Sequence, residues 1–372
     1  MPTDNPALLC GFNGGDRFVD ALQEAGMANR NDVARLAGVS PAVVSYVLNN
    51  SNYVSEEKRK AVNDAIRALG YSPNYFAKSL KTHSGRQLLF VSDDIRNELF
   101  LELAYEMENY AFEKGYYVTF SSCSAEKIPF YLDMLLSRQC DGIFVANSMF
   151  NADQLRQCAQ CAPTVLFQTK MYDDLSADIS VVTGDIEGGM EQMVHHLVDV
   201  KGYRKLFYIA STYTRLMPDE KRPYGDGIRL YAFLQAAAKR GLLLHRDVFY
   251  IYQKLGEKDS PQLLMTFLDQ ALEFYNRTCG SERTAFVIAN DAEAVRSISY
   301  LQKRGYRIPE DIAVMGFGGT ASAKNSNPEL STVSYPKAEI AHASVDILTA
   351  SRLKEAPVCI RYPMKLHERC ST

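Results

Sequence analysis

Cys158-Ala-Gln-Cys161 has the spacing of a thiol pair, which ligates zinc or exchanges disulfides when a second pair or a βαβ start accompanies it. Neither is present, so the pair reads as two cysteines on a helix ending before Pro163. Gly316-Phe-Gly318-Gly-Thr-Ala321 follows a short apolar run and fits G-x-G-x-x-A, whose glycines let a backbone close on a pyrophosphate. Against a nucleotide cofactor stand its place near the end of the α/β region, Asn327-Pro328 just beyond, and the lack of a good helix from Thr320. His195-His196 and Asp93-Asp94 have neither metal nor triad spacing, so no cofactor and no metal is expected. Ser40, Pro41, Ala42, Ser45, Tyr46 and Asn49 lie at a helical spacing that exposes one face. Hydroxyl, phenol and amide groups on such a face are suited to meet phosphates and base edges.

Two short helices must position that face. Asp32, Val33, Leu36 and Ala37 give a turn and a half of helix, which Gly38 breaks. Ser40 is placed to cap a second helix, Pro41 sits where a missing N–H costs nothing, and Val43, Val44, Val47 and Leu48 form its apolar stripe. A helix-turn-helix of this kind offers its second helix to the DNA major groove. An ordinary α-hairpin is the alternative from this window alone. A third helix runs from a Ser55 cap to about Leu69 and is closed by Gly70, with Val62, Ile66 and Leu69 on one face. Asn74 to Leu80 is a helical segment too short to be stable alone.

The blocks D-V-A-R-L-A-G-V-S at 32–40, V-S-x-V-L-N at 44–49, V-S-E-E-K-R at 54–59 and L-G-Y-S-P-N-x-x-A-x-x-L at 69–80 resemble the lactose-repressor/galactose-repressor family of bacterial transcription regulators. The last block is the most specific. The resemblance implies a hinge helix that folds on operator DNA, pairs with its dimer mate and wedges Leu80 into the minor groove, where an apolar wedge kinks the duplex. On the same basis Pro41, Ala42 and Tyr46 would meet bases, while Arg30, Ser40, Ser45, Asn49, Ser55 and Lys78 would face phosphates, with Asn74 and Ala77 beside them in the hinge. Tyr46 departs from the arginine often found there, and a phenol cannot make arginine's bidentate pair with guanine.

Charge is distributed accordingly. Residues 27–86 hold nine Lys/Arg against four acids, +5, whereas residues 87–372 hold 31 against 36, −5, within an overall net charge of −3. The positive charge gathers where phosphates would be neutralised. Eight scattered cysteines, with no signal peptide and no long apolar run, read as reduced thiols in a cytoplasmic protein.

From Gln87 the pattern alternates apolar runs with helices, in two stretches of similar size. Parallel sheets covered by helices follow, with a cleft between two halves. The resemblance extends here through Arg229-x-x-x-Phe233, Ala289-Asn-Asp291, the run from Gly305 to Phe317, and Leu330-Ser-Thr-Val333. It implies an N-terminal all-α helix-turn-helix DNA-binding domain plus an α/β periplasmic-binding-protein-like core of two Rossmann-like subdomains. The expected division is 1–26 as an N-terminal extension, 27–72 as the helix-turn-helix domain and 73–86 as hinge helix and linker. One subdomain is then 87–186 plus 336–353 and the other 187–335 plus 354–372, with crossings near Asp185, Tyr335 and residue 353. Residues 1–26 are a flexible extension, or the chain starts at Met27; the sequence leaves both open.

The resemblance implies a sequence-specific repressor that binds a palindromic operator as a homodimer and answers to a small metabolite. Asp93, Phe100, Asn147, Gln168, Arg229, Asn290, Gly318 and Tyr335 would line the cleft and meet the effector. Where the family commonly writes G-[FY]-D-D, this chain has Gly316-Phe-Gly-Gly319, and Gln168-Thr-Lys170 also departs from it. Fewer carboxylates grip fewer sugar hydroxyls, so the effector is expected to be something other than a simple neutral sugar, such as an anion near Arg229, or the cleft binds little. No leucine heptad supports a tetramer coil. The alternatives are a sugar-type binding protein without a DNA role and a nucleotide-cofactor enzyme. The basic head argues against the first, and the missing helix after Gly318 against the second.

Overall fold

The computed structural model describes residues 28–71, 85–147, 149–167, 175, 178–211, 226–252, 262–279, 282–350 and 356–372. The chain divides into two compact units, 1–82 and 83–372. Expectations for the N-terminal extension, for hinge residues Asn74, Ala77, Lys78 and Leu80, and for Gln168 lie outside the described residues.

The first unit contains α1 (Arg30–Leu36), α2 (Pro41–Asn49) and α3 (Glu56–Ala68). Asn29 and Asp32 form a capping box that starts α1, and Asp32 also binds Arg35 at 2.7 Å. Gly38 turns the chain at φ +64°, and Ser40 Oγ accepts from Val43 N at 3.4 Å to start α2. Ser55 stands at the N-cap position of α3, but its hydroxyl makes no cap bond, so the acidic Glu56 and Glu57 are what suit that helix N-terminus. Val33, Val44, Val47, Val54, Val62 and Leu69 close a small core.

The second unit is two six-stranded sheets. The first lobe holds β1 (Gln87–Ser92), α4 (Glu98–Glu113), β2 (Tyr117–Ser122), α5 (Ile128–Leu136), β3 (Gly142–Ala146), α6 (Ala152–Cys161), β4 (Thr164–Leu166) and β5 (Ser180–Gly184). The second holds α7 (Ile186–Val194) and its π-turn continuation, β6 (Lys205–Ala210), α8 (Asp226–Ala238), β7 (Val248–Tyr252), α9 (Leu263–Thr278), β8 (Thr284–Ile288), α10 (Asp291–Lys303), β9 (Ala313–Gly318), the single turn α11 (Ala321–Lys324) and β10 (Ser331–Ser334). α12 (Lys337–Thr349) returns to pack on α4, β11 (Cys359–Tyr362) pairs with β5, and β12 (Lys365–His367) pairs with β10.

The sheet orders are β11-β5-β4-β3-β1-β2 and β12-β10-β9-β8-β6-β7, parallel except for the β10–β12 pair. Completely buried strands such as β3, β6 and β8 are near-continuous apolar runs, as parallel strands covered on both faces must be. The third crossing expected near residue 353 instead falls between Tyr362 and Lys365. Residues 359–362 therefore belong to the first sheet, because β5 offers β11 a parallel edge from Val181 to Gly184. The alternation read from sequence also misses β5, β10, α12 and β12. These are short or polar-ended strands, and a helix opened by Pro336, whose identity comes from neighbours distant in the chain.

At the lower end of the second lobe, Asp247 is bound by Arg246 at 2.6 Å, by the Leu243 N–H at 3.0 Å and by Lys205 at 3.2 Å. Arg246 chiefly holds its carboxyl down to about 2, from an ordinary 3.8. The folded state thus favours the ionised form. Its stabilisation is complete above pH 4 and lost as pH falls from about 4 to about 2, on the order of 1–2 kcal/mol. Acid unfolding of Asp247→Asn should lose that part of the pH slope; an unchanged profile would contradict the assignment.

Candidate functional site

On the first unit, α2 buries Val44 and Val47 and turns Pro41, Ala42, Tyr46 and Asn49 outward, with Ser45 half-buried between them. The spacing does this because the valines lie a helical turn apart and fix which face is hidden. Asn49 Nδ2 donates to Ser45 O at 2.9 Å and to Ser45 Oγ at 3.2 Å, so these two side chains are oriented together on the exposed face. Ser40 is exposed with its oxygen engaged as a cap, Arg30 is exposed at the first position of α1, and Ser55 is half-buried. A rigid helix face carrying a phenol, an amide and a hydroxyl, held on a small apolar core, can enter a groove.

On the second unit, the candidate residues sit at or just beyond the C-terminal ends of parallel strands. Asp93 follows β1 and Asn147 follows β3, and Asn147 Nδ2 donates to Asp93 Oδ1 at 2.7 Å. Asn147 Oδ1 also accepts from Met149 N at 2.7 Å, so this amide is held at both ends. Asp94, the other carboxylate of that pair, is turned to Arg96 at 2.8 Å, whose guanidinium holds its carboxyl below the usual range.

A chain of aromatic rings runs between the lobes. Phe100 meets Phe167 edge-on at 6.3 Å, Phe167 meets Tyr335 at 5.4 Å, and Tyr335 meets Phe317 at 5.6 Å. Arg229, on α8, lies over the Phe317 ring at 5.5 Å and donates to the Ala289 carbonyl. Asn290 caps α10, its side-chain oxygen accepting from Glu293 N at 2.9 Å. The structure thus brings Asp93 to Asn147, and Phe100, Tyr335 and Arg229 into one connected array, while Asn290 is committed to a helix start.

Several residues escaped the sequence reading. Glu293 is buried and accepts from Ser211 Oγ at 2.8 Å. Asp291, 1% exposed, accepts from Thr332 Oγ1 at 2.6 Å and Thr320 N at 2.7 Å, while burial raises its carboxyl. The second lobe therefore does not lack carboxylates; it spends them on its own hydroxyls and amides. An Asn-Asp pair directly after an apolar strand was the available signal for Asp291.

Asp291 also explains the glycines. A Cβ on Gly316 would come within 2.4 Å of Asp291 Oδ1, so the glycine makes room for a carboxylate rather than a pyrophosphate. The Thr320 amide is taken by Asp291 and the Ala321 amide by Glu102 at 2.8 Å, so neither is open to a phosphate. Cys158 is buried, which pushes its thiol up to about 12, and Cys161 is half-buried on the same helix. His195 is exposed beside Asp199, and His196 is buried against Thr372. Among the described residues no group of three His, Cys, Asp or Glu is placed to hold a metal ion. No described helix is long and apolar enough to cross a membrane.

Comparison with known proteins matches residues 31–74 to the bacterial regulatory proteins of the lacI family and residues 194–372 to a periplasmic binding protein-like domain. Among curated relatives, the HTH-type transcriptional repressor PurR of Mannheimia succiniciproducens is 26% identical over 326 residues, 87% of this chain and 91% of that protein. PurR of Aliivibrio salmonicida is 28% identical over 333 residues, 88% and 93% of the two chains. Among solved structures, the Lac repressor dimer bound to operator and the anti-inducer ONPF superposes with a TM-score of 0.75 at 21% identity, covering 93% of this chain and 99% of that one. The CelR–cellobiose complex gives 0.61 at 22%, covering 93% and 100%. This chain thus carries a lacI-type helix-turn-helix over residues 31–74 and a periplasmic-binding-protein-like domain over residues 194–372, the latter within a two-sheet core.

Proposed function

We propose that this protein is a ligand-responsive transcriptional repressor of the cytoplasm, acting as a homodimer on a palindromic operator and controlled by a small molecule between its lobes. The observation that carries this reading is the outward face of α2, Pro41-Ala42-Ser45-Tyr46-Asn49, fixed over a buried valine core in a lacI-type head joined to a two-lobed core. Two half-sites need two heads, which is why the reading includes a dimer. The turn amides after β9 are occupied by carboxylates, which favours a regulator over a nucleotide-cofactor enzyme.

Tyr46 reads a base, and Arg30, Ser40, Ser45, Asn49 and Ser55 fix the head on phosphates. Asn74, Ala77, Lys78 and Leu80 complete the contact through the hinge. Binding-site selection on Tyr46→Ala should yield a changed consensus at one position of each half-site, with discrimination there reduced by about 1–3 kcal/mol, whereas loss of a phosphate contact weakens all sequences alike. An identical consensus for parent and variant would remove Tyr46 from base reading.

The effector is a small organic anion rather than an unmodified sugar. Arg229 brings positive charge to an aromatic wall of Phe317 and Tyr335, and Asp291 and Glu293, the carboxylates that could grip hydroxyls, are engaged within the protein. Asp93, Phe100, Asn147, Gln168, Asn290 and Gly318 would complete the lining. Calorimetric titration should show binding of carboxylated or phosphorylated metabolites and none of glucose or ribose. Micromolar affinity for either sugar would overturn this assignment.

A further inference from the structure

We propose that Glu102 and Lys337 form a latch between the lobes, gripping the turn from Gly319 to Ala321 and setting how readily the cleft opens. Glu102 lies on α4 of the first lobe, and Lys337 opens α12 just beyond the crossing at Tyr335. Glu102 Oε2 and Lys337 Nζ are 2.7 Å apart, which joins two helices of the first lobe. Each side chain makes a further bond to the second lobe. Glu102 Oε1 accepts from Ala321 N at 2.8 Å, and Lys337 Nζ donates to the Gly319 carbonyl at 2.6 Å. One backbone turn thus offers an acceptor to the cation and, two residues on, a donor to the carboxylate.

The turn is shaped for this grip. Gly318 and Gly319 have φ of +131° and +68°, and a Cβ on Gly319 would meet Ser334 Cβ at 2.1 Å, so a side chain there cannot keep the carbonyl where Lys337 finds it. The side chains of Glu102 and Lys337 are 31% and 14% exposed, which shields the array from bulk screening better than an open surface pair. Both cross-lobe bonds involve a charged partner and are made by protein groups alone, so they weight the closed arrangement without help from an effector. The consequence for operator binding rests on the regulator reading above; the latch itself does not.

The test uses the full-length protein with no DNA and no effector added, comparing the parent with Glu102→Gln, Lys337→Met and the exchanged pair Glu102→Lys/Lys337→Glu. Hydrogen exchange at the Ala321 amide and the radius of gyration from small-angle scattering are the readouts. Glu102→Gln and Lys337→Met should each speed exchange at Ala321, on the order of tenfold, and expand the scattering envelope. The exchanged pair restores attraction between α4 and α12 but sets an ammonium against the Ala321 N–H, so it should remain as open as the single variants. Parental exchange in the exchanged pair would mean a plain helix–helix ion pair and would overturn the latch, as would parental exchange in both single variants. If Glu102→Gln fails to fold by its thermal transition, Lys337→Met decides. Failure of the regulator reading would appear separately, as no sequence preference for DNA in the parent.

Discussion

Val44→Asp is expected to reduce operator affinity to the level of non-specific DNA, about a thousandfold or more, while the thermal transition of residues 83–372 stays where it is. Val44 is fully buried in the head core beside Val33, Val47 and Val62. A carboxylate placed there without a partner costs several kcal/mol. A unit of this size has only roughly 0.05–0.15 kcal/mol per residue to lose, so the head should unfold. The two units have separate apolar cores, which is why the effector core should not follow. Gel-shift titration on a selected operator and scanning calorimetry on the same sample check both halves. Parental operator affinity in the variant would mean that α2 is not the reading element.

Gly319→Ala should lower the unfolding temperature of the effector core by roughly 5 °C, corresponding to about 3 kcal/mol. The new Cβ would meet Ser334 Cβ at 2.1 Å and Ser334 Cα at 2.6 Å, and the second of these is backbone of β10, which cannot swing aside. A left-handed φ adds about 1 kcal/mol for any residue with a Cβ. Gly241→Ala separates the two contributions, since Gly241 has φ +72° with nothing within 4 Å, and it should cost only the conformational part. Equal losses at 241 and 319 would show that the approach of Ser334 is not what requires the glycine.

The glycine run also shows how far a motif can mislead. Gly316-Phe-Gly-Gly-Thr-Ala321 fits a dinucleotide fingerprint as a string, and its late place in the α/β region, the lack of a good helix and the nearby Asn327-Pro328 already spoke against it. The deciding reason was invisible in one dimension. Asp291, 25 residues earlier than Gly316, fills the space beneath the turn, and Glu102 reaches it from the other lobe. The glycines do leave this turn without a carboxylate of its own, and the acids that the second lobe keeps nearby are turned to its hydroxyls and amides. Counting acids near the motif could not see Asp291 and Glu293, which follow β8 and reach Thr320 and Ser211 because β8 lies between β9 and β6.

The sequence alone determined what is local. The positions of α1, α2 and α3 followed from valine spacing, Gly38, Gly70 and the capping residues, because a short helix is specified by its own stripe and ends. The lobe alternation was equally legible wherever strands were long apolar runs, since parallel strands buried on both faces must be written that way. Tertiary structure alone decided the register of the late elements and the chemistry of the cleft. β11 joins the first sheet because β5 presents a free parallel edge, and side chains such as Asn147 and Glu102 find partners 54 and 219 residues away. Hydrogen bonds and ring contacts act over a few ångströms of space whatever the distance along the chain, so no pattern of spacing could have paired them.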